Sequence, residues 1–446
     1  MKLFAALLLA ATVQAETLHD VVHRDDLQAA QRLIAAGADV RAPNRYGVTP
    51  LSLACTNGDG AMVELLLKSG ADANTALTGG ESALMTAART GRPEPIKALI
   101  AHDANVNYHE PRRGQTALMW AAAEGNVEVI QLLLKAGANR DERLDSGYTA
   151  FLFAVREGRL PAVRALLAAG VDVNEIVEAH KPSGPRPASG AGAPRANQSA
   201  LVLASANAHY ELAAYLLDGG ANPNLDGAGY TALHVVPGIR KPGLGDNDPA
   251  PEGSGNLTSL QLIDKLLAKG AHIDARMTKS VKFGLTELNT MGATAYFLAA
   301  KNDDAELMRY LAKRGADTKI NNADNSTPLM AAAGLGTRSP GEDAGTEDEV
   351  EPALQAALDL GTDIDAVDNK GETAMHAAAY KNSPRAVAFL AAHGAKRAVW
   401  DTRNKQGWTP LTIAEGYRFG NFKPSFVTVE AFQKIMSPTT AQTERK

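Results

Sequence analysis

Cysteine is almost missing from this chain. One thiol, Cys55, among 446 residues excludes an internal disulfide framework and a cysteine-based zinc site, since both need several sulfurs. Aromatics are only 5% of residues while the apolar fraction is 45%, so burial must rest on alanine, leucine and valine rather than on large rings. Neither sign of charge dominates: 45 Lys and Arg face 50 Asp and Glu, a formal net of −5. Neutralising phosphates requires a basic surface, so general nucleic-acid binding is not expected. No apolar run approaches the ~20 residues that cross a bilayer as a helix. The motifs HExxH, GxSxG, GxxxxGK[ST] and, after a strand, GxGxxG are absent too. The expectation is a chain with no catalytic residues, no cofactor and no metal.

What is present is repetition. The stretch Thr116 to Tyr148, TALMWAAAEGNVEVIQLLLKAGANRDERLDSGY, shows the unit. Thr116 can cap a helix start through its hydroxyl. Leu118, Ala121 and Ala122 follow at helical spacing, and small alanines let neighbouring helices approach closely. Gly125 and Asn126 break that helix. Val127 to Lys135 form a second, with Val129, Ile130, Leu133 and Leu134 as its bulk. Gly137 stops it, because a left-handed residue there is easiest without a Cβ.

Heads equivalent to Thr116 stand at Thr49, Ser82, Thr149, Ser199, Thr231, Thr294, Thr327, Thr373 and Thr409. The spacings from Thr49 onward are 33, 34, 33, 50, 32, 63, 33, 46 and 36, which reads as a fixed period with insertions. Two residues before every head stands a Gly or Asn, from Gly47 to Gly407. These residues tolerate positive φ, so one backbone bend is remade in every copy. The helix stop recurs in the same way from Gly37 to Gly394, with Asp103 as the exception.

This pattern resembles the ankyrin repeat family, whose period is 33 and whose marker is Thr-Pro-Leu-His. The marker appears as TPLS at Thr49, TPLM at Thr327, TPLT at Thr409, TALH at Thr231 and TAMH at Thr373, so no copy is complete. GADV at Gly37, GADA at Gly70 and GANP at Gly220 match the segment after the second helix. The resemblance implies an all-α solenoid of about eleven helix-turn-helix repeats with β-hairpin fingers. It also implies that His234 and His376 bridge neighbouring backbones.

In chain order, Lys2, the apolar run Leu3 to Ala11 and Val13-Gln14-Ala15 read as a signal peptide over 1–15. The expectation is an exported bacterial protein, periplasmic or released. Repeats one to five fill 16–198, ending in a Pro/Gly/Ser-rich insertion at 175–198 that offers a hinge. Repeats six to eleven fill 199–436, with insertions at 237–256, 277–291 and 334–349. The tail 437–446 reads as disordered. His19 and His23, four residues apart, lack the further donors of a metal site. The acidic residues of 334–349 lack the order of a calcium loop and read as a solvated loop. Cys55 occupies an alanine position and reads as a small core residue.

In the family, fingers and first helices line a concave face that holds partners. The positions carried over are Arg45, Tyr46, Arg112, Arg113 and Arg143 in fingers, and Arg89, Trp120 and Arg156 on first helices. Trp120 stands where neighbouring copies have Thr86 and Phe153. Trp400, in a lengthened finger, is a second candidate contact. The expected function is a monomeric, non-enzymatic scaffold holding a protein, without nucleic acid and without membrane insertion of the mature chain. Two alternatives stand beside it: a ligand-binding protein or enzyme using the insertions of repeats seven and nine, and a secreted effector acting on a host protein.

Overall fold

The computed structural model describes residues 16–178, 196–243, 251–281, 286–420 and 422–437. The signal peptide expected at 1–15, most of the 175–198 insertion, parts of 237–256 and 277–291, and the tail after Ser437 lie outside the described residues. The chain forms two compact units, one running to Asp172 and the other beginning at Val173.

Unit 1 holds α1 (Leu18–His23), α2 (Leu27–Ala35), α3 (Pro50–Asn57), α4 (Gly60–Lys68), α5 (Ala83–Thr90), α6 (Pro93–Ala101), α7 (Ala117–Glu124), α8 (Val127–Lys135), α9 (Ala150–Arg156) and α10 (Leu160–Ala168). Odd-numbered helices pack on one another as one layer and even-numbered helices as a second. Unit 2 holds α11 (Ala200–Ala206), α12 (Tyr210–Asp218), α13 (Ala232–Arg240), α14 (Ser259–Ala268), α15 (Ala295–Lys301), α16 (Ala305–Lys313), α17 (Pro328–Ala332), α18 (Glu347–Asp359), α19 (Ala374–Lys381), α20 (Pro384–Ala392), α21 (Arg397–Trp400), α22 (Pro410–Ala414) and α23 (Phe426–Met436). Here α11, α13, α15, α17, α19 and α22 form the layer of first helices. Among the described residues eleven helix pairs result, with α21 as an extra turn inside a finger.

The local causes are those the sequence announced. Eight of the ten heads cap their helix by accepting the backbone N–H three residues on. At Thr231 and Thr373 the third residue is histidine instead. There the Thr N–H donates to Nδ1 of His234 at 3.1 Å and of His376 at 3.3 Å, a reciprocal cap. All ten finger residues before the heads have φ between +61° and +99°, and all ten helix stops, Asp103 included, between +62° and +97°. The fingers close as tight turns, for example Gly47 N–H to Asn44 O at 2.8 Å. Among the described residues they carry isolated bridges such as Ala76 with Ser82 and no strand. Ala54, Ala87, Ala88, Ala121, Ala122 and Ala154 are fully buried where first helices meet. Cys55 lies among them, fully buried, and burial pushes its thiol up to about 12.

A rung absent from the sequence reading ties consecutive fingers. Asn74 Nδ2 donates to Asp103 O at 3.2 Å and its Oδ1 accepts from Asn105 N at 2.7 Å. Asn107 makes the same pair with Gly137 O and Asn139 N, and Asn224 with Gly270 O and His272 N. Each side chain satisfies one donor and one acceptor at a helix end that would otherwise go unpaired.

The insertions of unit 2 depart from the expectation of solvated loops. Helix α13 continues through Pro237 to Arg240, so the irregular segment starts later than 237. Arg240 donates to Asp304 and to Glu306, each at 2.7 Å. Glu347, Asp348 and Glu349 form the first turn of α18, where carboxylates suit the exposed N–H groups of a helix start. Glu349 pairs with Lys241 at 2.5 Å and Asp343 with Lys301 at 3.6 Å. Asp303, fully buried, pairs with Lys381. The lengthened finger leans on the next insertion: Glu287 N–H donates to Gly336 O at 2.8 Å. Arg418, 1% exposed, donates to Thr337 O at 2.8 Å.

Candidate partner-binding face

Three fingers and three first helices of unit 1 position the expected residues. In the first finger, Asn44 Oδ1 accepts from Tyr46 N at 2.9 Å, which fixes the tip and leaves the Tyr46 side chain outside, 64% exposed. The Arg45 guanidinium lies 4.7 Å from the centre of that ring. In the third finger, the buried Glu110 carboxylate accepts from the backbone N–H groups of Arg112 and Arg113, both at 2.7 Å. That interaction spends an acid on the turn and leaves both arginine side chains exposed at its tip.

The first helices present one row, with Thr86 on α5, Trp120 on α7 and Phe153 on α9 at equivalent positions. Thr86 and Phe153 are buried and Trp120 is half-buried. Arg89, one turn on from Thr86, lies 5.2 Å from the Trp120 ring centre. Arg156, one turn on from Phe153, lies 4.9 Å from Phe153 and 5.2 Å from Tyr148. It also pairs with Glu157 at 2.8 Å. Each such cation–ring contact contributes about 0.5–1 kcal/mol at an exposed site. Trp120 Nε1 and Thr86 Oγ1 are buried atoms with no hydrogen-bond partner, and an unsatisfied buried donor costs about 1–3 kcal/mol. Arg89 and Arg156 thus lie over the aromatic rings of the row, and two of its polar atoms are unspent.

Two expected contacts are less open. Arg143 is half-buried and donates to Gly147 O at 2.8 Å within its own finger. Trp400 is 4% exposed. It ends α21, donates to Ala395 O at 3.3 Å and packs against Phe432 of α23 with ring centres 5.9 Å apart. The last helix covers the end of the stack, and Trp400 is part of what it covers. Tyr148, which the sequence reading passed over, joins the face through its 5.3 Å contact with Phe153.

The marker histidines are enclosed. Nε2 of His234 lies 2.9 Å from Ala275 O and Nε2 of His376 lies 3.2 Å from Thr402 O, so both bridge to the following finger. Nδ1 accepts from the cap, so each ring is neutral with its proton on Nε2. Burial above all pushes both down to about 4, against two backbone contacts that favour the charged form. Among the described residues no three His, Cys, Asp or Glu side chains converge as metal ligands do, and no helix is long and apolar enough to cross a membrane.

Residues 18–110, 98–177 and 346–422 match the family model for ankyrin repeats, a model of three copies. The chain is 35% identical over 89 residues, 20% of its length, to a putative ankyrin repeat protein of fowlpox virus. It is 43% identical over 67 residues, 15% of its length, to human ankyrin repeat and SOCS box protein 16. It is 25% identical over 375 residues, 81% of its length, to the E3 ubiquitin-protein ligase KEG of Arabidopsis thaliana. These matches span only 13%, 15% and 20% of the relatives' own lengths. Among solved structures, the human ASB11 ankyrin repeat domain is 22% identical with a TM-score of 0.44, covering 58% of this chain and 99% of that one.

Proposed function

The chain belongs to the ankyrin repeat family, and from that premise we propose that it is a non-enzymatic, monomeric scaffold that grips one protein on the concave face of unit 1. Ankyrin repeats generally mediate protein–protein interaction. The observation that carries the reading is Trp120, half-buried beneath Arg89 with its Nε1 unpaired. Tryptophan and arginine are the residues on which interface energy concentrates. The exposed part of the Trp120 ring and the Arg89 guanidinium over it would meet the partner, and rigid stacked repeats lose little ordering entropy on docking. Arg45 with Tyr46, Arg112 and Arg113 extend the contact to the finger tips, and Arg156 extends the row. The face is rich in arginine within a chain of net −5, which suits an acidic partner surface.

Residues 1–15 complete the proposal by directing the chain out of the cytoplasm, to the periplasm or beyond the cell. Quantitative affinity capture under native conditions, comparing the intact chain with an Arg113→Ala/Trp120→Ala variant, tests the grip. The expected result is loss of the co-purifying partner by about tenfold or more; equal recovery refutes it. Fractionation of cells making the chain with and without residues 1–15 tests the destination. A full-length product retained in the cytoplasm refutes export.

A further inference from the structure

Unit 2 contains a cavity of about 250 Å³ that the bare repeat pattern would not make. The lengthened finger supplies Glu287, Gly336 of the next insertion backs it, and later fingers add Asp324, Asp368, Lys370 and Glu372. The Phe419 ring, stacked on Tyr380 with centres 4.6 Å apart, forms another wall.

The charges of this wall do not balance. Lys370 neutralises Asp324 at 2.7 Å, and Arg338 faces Glu287 at 3.5 Å. Asp368 and Glu372 are 6% and 5% exposed, and every donor that holds them is neutral. Ser326 Oγ at 2.8 Å and the backbone N–H groups of Lys370 and Glu372 at 2.8 Å and 2.9 Å donate to Asp368, and Tyr380 OH and Asn404 Nδ2 donate to Glu372 at 2.8 Å and 3.0 Å. The Lys370 charge acts on both but is shared with Asp324. Both bonds to the Glu372 carboxylate fall on Oε1, and Glu372 lines the cavity. Burial first, and then the neighbouring Asp368 charge, raise the pKa of Glu372. A buried carboxylate pair of this type is stabilised by a counter-charge.

The chemistry of the counter-charge is narrowed in two ways. The carboxylates do not converge as metal ligands do, which favours an organic cation whose hydrogen-bond donors are spread in space. At roughly 30 Å³ per water the cavity has the volume of about eight waters. That is below the roughly 300–1,000 Å³ of most small-molecule sites and suits one head group. The Phe419 face adds cation–π attraction. We propose that this cavity binds a single alkylammonium or guanidinium group against the Asp368–Glu372 pair. The inference goes beyond the grip of unit 1 and does not depend on it.

Calorimetric titration of the intact chain tests it, with Nα-acetyl-lysine methylamide, Nα-acetyl-arginine methylamide and n-butylammonium as probes. Nα,Nε-diacetyl-lysine methylamide is the neutral control. Saturable binding of a cationic probe, weakened about tenfold or more by Nε-acetylation, is expected. Glu372→Gln keeps the shape, removes the charge and should weaken binding by a similar factor. The acetylated control on the unaltered chain carries the test should that variant fold poorly. Tighter binding of the capped amino acids than of butylammonium assigns the site to a protein side chain; equal binding assigns it to a free amine. No saturation by any cationic probe up to about 10 mM, or equal affinity for charged and acetylated lysine, overturns the proposal.

Discussion

Acidification should unfold unit 2 in a way that can be worked out from two histidines. His234 and His376 are each locked between a cap N–H and a carbonyl of the next finger, an arrangement available only to the neutral ring. Burial holds both at about 4, against 6.5 for a free imidazole. Between those values the unfolded chain binds more protons than the folded one. Their contribution is therefore complete above pH 6.5 and is lost as pH falls toward 4. At about 1.4 kcal/mol per pKa unit, each histidine removes roughly 3 kcal/mol across the window. Asp303 works in the opposite direction. Burial raises it to about 6 from 3.8, so its contribution grows by roughly 3 kcal/mol as pH falls from 6 to 3.8. The balance of these three groups is a net loss of about 3 kcal/mol. The variant His234→Gln/His376→Gln isolates the histidine share. Glutamine keeps the cap, as Gln261 does in accepting from Thr258 N at 2.9 Å, and it does not titrate. At pH 7.5 the double variant should be weaker by about 1 kcal/mol per lost Nε2 bond. At pH 4.5 it should be the more stable protein. Urea unfolding, followed through Trp400 and Trp408 in a Trp120→Phe background, reads both. A double variant that loses stability with acid as steeply as the parent would refute the reasoning.

Further predictions concern packing. Gly336→Ala combines φ of +80° with a Cβ 2.8 Å from Leu288 Cα. It should destabilise unit 2 by roughly 2–4 kcal/mol, whereas Gly37→Ala, with open space around it, should cost about 1–2; urea midpoints compare them. Lys381→Met leaves Asp303 buried without its cation and should cost about 3–5 kcal/mol at pH 7.5, less at pH 5 where Asp303 is protonated. Trp400→Ala should cost about 3–5 kcal/mol of unit 2 stability through the cavity it opens, with partner capture unchanged at a temperature where the variant is folded. Cys55, fully buried with its thiol pushed up to about 12, should resist iodoacetamide in the native chain and react only on unfolding, as mass spectrometry will show.

How far the sequence foretold this molecule depended on how far apart the interacting residues lie. The glycine and asparagine bends and the Thr and Ser caps act within four residues, so Gly47, Gly70, Thr116 and their equivalents were legible from spacing. Trp120 was legible for the same reason, because aligned repeats show which residue shares its row. The rungs at Asn74, Asn107 and Asn224 looked like loop polarity, since their partners lie 29 to 48 residues on. The acidic residues of 334–349 read as solvated for want of their cations: Lys241 is 108 residues from Glu349. Trp400 was read as a candidate contact, and only the stack reveals that α23 folds over it. The unbalanced pair Asp368 and Glu372 was hidden in the same way, because its cavity is built by two insertions and a C-terminal segment.

The central claim is that unit 1 works by gripping a protein on the face of Trp120. Photo-cross-linking in the cells of origin tests it most directly, with a photoreactive residue placed at Arg113 and, separately, at Lys97 on the outer helix α6. The account predicts a covalent adduct with one discrete protein from position 113, abolished by Trp120→Ala, and none from position 97. Adducts from position 97 alone, or a position-113 adduct indifferent to Trp120→Ala, would contradict it.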